Sequence, residues 1–238
     1  MMTSKKTYLL LFSFITLIGC GNSQSKKSDT DFKNYFFQPN WFEVPKVYRY
    51  EFSSKYNDEK YNAYRYFEKI DNNQLKMTVY DKDFNQTLII VYEYLPDKVI
   101  LKKVTTVETW NNNKHVEEKL PDNVVFDYHK MNEDFGFTHT SRIKGYSDVT
   151  RYVTRNIKKT ERREFNEAEV NVAIADGKTD IEIKTSTDDI KLHNDDVLIY
   201  AENIGVIYQE SKSQNNKVVA NLTRILTLDE FENMKNAR

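Results

Sequence analysis

The sequence predicts a mainly β chain, and three observations carry that prediction. Short aromatic-rich runs alternate apolar and polar residues with a period of two, as strands with one buried face do. Polar turn residues separate the runs, so successive runs read as consecutive antiparallel strands. Only four prolines interrupt the 238 residues and no repeat of fixed period is present, which argues against a solenoid or propeller.

Taken in order, the chain opens with Lys5 and Lys6 ahead of an apolar run from Tyr8 to Ile18. That run is too short for a spanning helix and has the build of an export signal. It ends in Leu17-Ile18-Gly19-Cys20, which resembles the lipobox of bacterial lipoproteins. The resemblance implies that residues 1–19 are a signal peptide and that lipid is attached to Cys20. Cys20 is the only cysteine in the chain, and thioether formation would consume a thiol otherwise left reactive in an oxidising compartment. Two or three acyl chains anchor stably where one does not, so the expected partner is a membrane, held through covalent lipid. Gly21 rather than aspartate follows the cysteine. By resemblance to Gram-negative sorting, this favours the outer membrane if the host is of that kind.

Residues 20–31 contain nothing that could offset the entropy of folding, and they read as a lipidated cysteine with a flexible tether reaching at most about 40 Å. Residues 32–238 then form one β-rich domain. Tyr48, Tyr50 and Phe52 alternate with Arg49 and Glu51, and similar runs follow at 61–70, 75–80, 87–95 and 99–107. Leu88 to Val91 reads as buried on both faces. Asn72-Asn73 and Asp81 to Asn85 supply turns. From Asp122 to Arg163 the texture is mixed, with strand-like pieces at 124–128, 137–143 and 149–157 and room for a helix. In the last third, Val170, Val172 and Ile174 alternate with polar neighbours, and Ile181 and Ile183 resume the pattern after Asp176-Gly177. That spacing predicts a hairpin with Asp176 and Gly177 as its turn. A second hairpin is predicted across Glu202-Asn203, with Gly205 just beyond, and a last strand from Val218 to Ile225. Thr227 and Glu230 make a capping box, and Leu226 can staple onto Phe231, so a short helix should start near Leu228.

The stretch Tyr200-Ala201-Glu202-Asn203-Ile204-Gly205-Val206-Ile207, with Leu222-Thr223-Arg224-Ile225 after it, resembles the C-terminal end of a group of uncharacterised bacterial lipoproteins. Those proteins are similar in turn to the lipoprotein-carrier (LolA/LolB-like) class. The resemblance covers about 60 residues. It implies a strongly curved antiparallel sheet, a half-barrel, with a few short helices over an apolar cavity.

Several function classes find no support. Without residues 1–19 the chain carries 33 basic and 36 acidic side chains, a formal charge of −3, so the basic excess of a nucleic-acid binder is missing. His115, His129, His139 and His193 are never closer than ten residues, which excludes a local metal motif. Asp188-Asp189 and Asp195-Asp196 lack the spacing of a calcium loop. No G-x-S-x-G occurs, and dispersed acids in a chain 30% charged discriminate nothing. The expectation is therefore no cofactor, no metal and no catalytic residue.

The interpretable excess is aromatic: 16 tyrosines and 14 phenylalanines. Tyr48, Tyr50, Tyr64, Tyr66, Tyr80, Tyr92 and Tyr94 all fall on predicted strands, with Trp41 and Trp110 as further platforms. Such rings either fill a wide β core or line a ligand cavity. Both readings stay open at this point. The expected function is that of an envelope binding or interaction module for an apolar ligand or an envelope protein. The alternatives are a structural subunit of an envelope assembly and, behind it, a hydrolase.

Overall fold

The structure, a computed structural model, describes residues 31–55, 60–109, 111–141, 148–185 and 188–237. The signal peptide, Cys20, the tether up to residue 30 and Trp110 lie outside the described residues. Thirteen strands follow one another: β1 Lys46–Ser54, β2 Lys60–Asp71, β3 Gln74–Tyr80, β4 Gln86–Tyr94, β5 Lys98–Glu108, β6 Lys114–Glu117, β7 Lys119–Asp127, β8 Phe135–Ser141, β9 Asp148–Phe165, β10 Ala168–Lys184, β11 Asp189–Ala201, β12 Gly205–Lys212 and β13 Lys217–Thr227. A single α-helix, α1 Leu228–Asn236, ends the described chain, and two 3-10 turns, Lys33–Tyr35 and Pro39–Phe42, begin it. The middle third, where a helix had room, is strand throughout β6 to β9.

Neighbouring strands pair antiparallel, and the sheet closes. β1 pairs with both β2 and β13, while β4 pairs with β3 on one side and with β5 on the other, Leu88 to Tyr94 lying against Val99 to Thr106. β5 continues through β7 and β8 to the long β9–β10–β11 ribbon, so twelve strands form a ring with β6 attached beside the far end of β5. The expected half-barrel is thus corrected to a closed barrel. The cause is that β4 is no edge: both of its backbone sides are hydrogen-bonded, and closure removes the exposed ladder that an open sheet would have to protect.

Two turns mark where local sequence misleads. Asp176 and Gly177 do not form a turn; they lie inside β10, paired with Val197 and Asp196 on β11 and with Asn156 and Arg155 on β9. The real turn of that ribbon is Asn166-Glu167, both at positive φ (50° and 65°), as a two-residue hairpin demands and as asparagine tolerates well. The alternation on either side of Gly177 belongs to one 17-residue strand. The β11–β12 turn falls where expected, with Asn203 at φ 62° and Gly205 at φ 93°. A side chain at Gly205 would put its Cβ 2.4 Å from the ring of Phe37, so glycine is needed there both for backbone and for space.

That phenylalanine belongs to a segment that threads into the barrel. Phe32, Tyr35, Phe36, Phe37 and Phe42 are all buried. The Phe32 amide donates to the Tyr128 carbonyl (3.0 Å), and the Asn203 amide donates to the Asn34 carbonyl (2.7 Å), tying the segment to opposite walls. Gln38, itself buried, donates through Nε2 to the carbonyls of Lys33 (2.7 Å) and Phe36 (3.1 Å) and holds the two turns together. Phe37 packs on Phe67 (4.4 Å between centroids) and Tyr48 (5.6 Å), and Phe36 on Phe126 (5.2 Å) and Tyr92 (5.5 Å). These rings stopper one end of the barrel.

A second, smaller cluster lies on the outside. α1 begins with the capping box read from the sequence, the Thr227 hydroxyl accepting from the Glu230 amide (3.2 Å) and the Glu230 carboxylate accepting from the Thr227 amide (2.8 Å). The helix carries Phe231 onto Val47, Tyr64, Phe84 and Leu226, with Tyr66, Tyr80 and Met234 around them. Phe84 takes a left-handed backbone (φ 61°) in the Asp81–Asn85 turn, which places its ring against Tyr64 (4.9 Å) and Phe231 (5.6 Å).

Because Phe36 is an integral part of the core, Phe36→Ala should cost about 3–5 kcal/mol in urea unfolding. Deletion of residues 21–30 should change the midpoint little. Equal losses from the two changes would contradict a packed plug that starts at Phe32.

Candidate functional site

Beyond the plug, the barrel interior retains a cavity of about 330 Å³, near the lower end of the range for small-molecule sites. Its floor is Phe36 and Phe37, its deep wall includes Tyr50, Tyr92 and Tyr200, and half-buried Phe52, Leu88 and Phe137 stand toward the mouth. A larger depression of about 790 Å³ runs along His193, Asn194, Asp195 and the 211–216 turn. Its walls are mostly polar, and none of its lining residues is buried, so it is a surface groove without apolar enclosure.

Strand direction decides which aromatics face the cavity. Tyr48 and Tyr50 point inward from β1, and their hydroxyls donate to the carbonyls of Ile204 (3.0 Å) and Val206 (2.6 Å). β12 pairs with β13 only from Tyr208 to Lys212, so these carbonyls, which lie beyond that ladder, are served by side chains instead. Tyr92 also lines the cavity. Burial holds Tyr50 and Tyr92 above the ordinary tyrosine pKa, with the Arg65 charge opposing, and pushes Tyr200 up to about 12. All three hydroxyls therefore stay protonated through the neutral range.

Of the seven tyrosines expected to line a ligand, Tyr50 and Tyr92 face the interior cavity. Tyr48 packs against the plug instead, and Tyr94 sits against the interior core without reaching the cavity. Tyr64, Tyr66 and Tyr80 are corrected to the outer cluster under α1. On β2 the period of two puts Tyr64 and Tyr66 on one face and Ala63, Arg65 and Phe67 on the other, and it is the second set that faces inward. Trp41 packs on the interior core as part of the plug segment.

Two arginines line the cavity, and sequence reasoning passed over both. Arg155 is 8% exposed; its Nη1 donates to Asp196 Oδ2 (3.1 Å) and to the Thr154 carbonyl (2.9 Å), while the Thr179 hydroxyl donates to the same carboxylate oxygen (2.5 Å). The charge of this arginine is matched by the Asp196 carboxylate. It also explains Gly177, since a Cβ there would lie 2.6 Å from Arg155 Nη1 and 2.7 Å from the Thr154 carbonyl oxygen. Arg65 differs: its guanidinium lies 4.2 Å from the Tyr50 ring centroid and reaches across β1 and β13 to Gln209 Oε1 at 3.5 Å. Among the described residues it forms no ion pair.

The histidines do not gather, and among the described residues no group of metal-ligating side chains does. His139 instead pairs with the buried carboxylate of Glu118, which also accepts from the Thr106 hydroxyl. Burial by itself raises the Glu118 pKa, but the bonds from His139 and Thr106, with the nearby Arg151 charge, hold it below the ordinary value. Whatever stability this carboxylate contributes is therefore present above about pH 4.3, the unfolded glutamate value, and is lost as pH falls through the lowered folded value.

No protein-family model matches the chain, and no curated protein does. Solved structures similar to it include a protein described as a lipoprotein from Parabacteroides distasonis, 11% identical, with 80% of this chain and 97% of that chain covered and a TM-score of 0.49. A protein described as exported, with a YmcC-like fold, from Bacteroides fragilis is 11% identical over 76% of this chain and 94% of that chain, with a TM-score of 0.47. The hypothetical lipoprotein YmcC from Escherichia coli is 10% identical over 76% and 86%, with a TM-score of 0.34.

The Arg155 packing sets a test. Gly177→Val should destabilise by about 1–3 kcal/mol through overpacking, whereas Lys178→Val should stay within about 0.5 kcal/mol. Chemical denaturation of the two variants measures the difference, and equal stability would contradict the close approach of Arg155 to this strand.

Proposed function

We propose that the chain is a lipid-anchored cell-envelope protein without catalytic activity, whose barrel takes up an apolar ligand in the interior cavity. The observation that carries this reading is a space of about 330 Å³ left open inside a barrel that is otherwise filled by its own aromatics. Its walls include Met77, Leu88, Ile90, Leu198 and Val206, which give a ligand tail apolar contact. Each methylene buried there gains about 0.8 kcal/mol before ordering costs. In this reading the anchor is the lipid on Cys20, the tether gives the barrel reach, and the outer membrane is favoured if the host is Gram-negative. The open half-barrel of the lipoprotein-carrier class is not needed, because a closed barrel with one stoppered end offers a mouth at the other.

Access also has support in the register. Ile183 pairs with Ile190, Ile181 with Leu192, Gly177 with Asp196 and Ala175 with Leu198, so these residues share one face of the β10–β11 ribbon. Ile190 and Leu192 are exposed, and the same face runs down to Leu198 on the cavity wall. Between the exposed pair and Leu198 the face carries Thr179 with Asn194 and Gly177 with Asp196, so an apolar ligand meeting the ribbon would pass a polar step on its way inward. That exposure equally favours a second reading, in which the ribbon is the contact surface of a structural subunit in an envelope assembly.

Two measurements test the proposal. A fluorescent fatty-acid analogue should bind the mature chain with Cys20→Ser saturably at micromolar concentration, and Ile90→Trp, which fills the cavity, should weaken binding at least tenfold. Saturable binding that Ile90→Trp leaves unchanged would move the ligand elsewhere, and its absence at tens of micromolar would leave the assembly reading ahead. Separately, Cys20→Ala should release the protein from membranes after a high-salt wash, and retention would remove the anchoring argument.

A further inference from the structure

The cavity is not electrically neutral. Arg155 is balanced at 3.1 Å by Asp196, whereas Arg65, which lines the cavity from β2, has no carboxylate partner among the described residues. Its polar contacts are neutral, the Tyr50 hydroxyl and Gln209 at 3.5 Å, the latter at the long limit of a hydrogen bond, and its guanidinium carbon lies 4.2 Å from the centre of the Tyr50 ring. The guanidinium has five N–H donors, more than these two neutral partners can satisfy. A cation so placed is tolerable while water fills the cavity. It becomes costly once an apolar ligand displaces that water, unless the ligand brings a compensating charge.

We propose that the cavity selects a single-chain amphiphilic anion, its carboxylate or phosphate head held by Arg65 with Gln209 beside it and its acyl tail against Met77, Leu88 and Ile90. This rests on the reading of the cavity as an apolar-ligand site and adds the charge of the ligand. Size agrees in order of magnitude: about 330 Å³ is the scale of one medium-length acyl tail, each methylene taking about the space of one water, about 30 Å³. Planar guanidinium donors match the two oxygens of a carboxylate or the oxygens of a phosphate, and a bidentate bond adds orientation as well as affinity. A neutral amphiphile of equal length would strand the Arg65 charge in an apolar surround, so selection operates against it as well as for the anion.

The test is calorimetric titration of the mature chain, Cys20→Ser, with dodecanoate, dodecyl phosphate and the neutral 1-dodecanoylglycerol, each below its micellar concentration. At least one anion should bind roughly 10- to 100-fold tighter than the neutral probe, the size of effect expected for a hydrogen bond to a charged group. The better of the two anions tells carboxylate from phosphate. Arg65→Met should shrink the anion-to-neutral ratio to below about threefold, and Arg65→Lys should restore part of it, since a point charge remains without the fork. Equal affinity for anionic and neutral probes in the unsubstituted protein overturns the inference while leaving an apolar-ligand site standing. So does a ratio that survives Arg65→Met. Failure of every probe to bind removes the cavity reading and this inference with it. The comparison within the unsubstituted protein decides the matter even if an Arg65 variant does not fold.

Discussion

A ring of twelve strands is wider than its own inward side chains can fill. About eight strands is the size at which they meet across the axis, and a wider ring must either hold a channel or be packed by something else. Here much of the filler is aromatic, and part of it comes from outside the sheet. Phe36 and Phe37 enter from the N-terminal segment and meet Phe67, Phe126, Tyr92 and Tyr200 on four different strands. Rings suit this task because each covers a large area with few torsions to freeze and tolerates tilted and edge-on contacts. Other features then follow: glycine at 205 so that Phe37 can lie against the backbone, Gln38 to satisfy the turns of the plug, and tyrosine hydroxyls bonded to β12 carbonyls beyond the β12–β13 ladder. What the filler does not occupy is the cavity.

The same geometry separates a buried, paired charge from a half-buried one without a counter-charge. Arg155 and Asp196 face one another from β9 and β11 across Gly177, a pair whose mutual attraction and extra bonds offset its removal from water. Arg65 has neutral partners among the described residues, the ring and hydroxyl of Tyr50 and the distant Gln209 amide. A barrel evolved only for stability gains nothing from an unmatched guanidinium in its interior, where a methionine would pack as well. Its presence supports the proposal that the remaining space takes a ligand with chemistry of its own.

Much of the architecture was legible because strand alternation is a local property. Tyr48, Tyr50 and Phe52 alternate as read, and the Glu202-Asn203 turn and the Thr227–Glu230 capping box are present as read, since each depends on neighbours a few residues away. Barrel closure was not legible, because the β4–β5 pairing that closes the ring looks in sequence like any other hairpin. Gly177 misled for a physical reason: a glycine after aspartate has the composition of a tight turn, but this one is small to admit a side chain from the next strand. The plug was hidden because Tyr35-Phe36-Phe37 has no period, and facing could not be assigned to the tyrosines without knowing which side α1 would cover. Arg65 did carry a signal in its parity, opposite to Tyr64 and Tyr66 and shared with Phe67. That signal becomes readable only once the tyrosines are known to face out.

The central claim is that ligand binds inside the barrel, above the plug, and it is tested most directly by methyl NMR. With the Met, Ile, Leu and Val methyls labelled, dodecanoate added to the mature Cys20→Ser chain should shift Met77, Leu88, Ile90, Leu198 and Val206, which line the cavity. Val47 and Leu226, on the outer face under α1, should stay in place. Shifts confined to Ile190 and Leu192 on the exposed ribbon, with the interior methyls unmoved, would contradict the account.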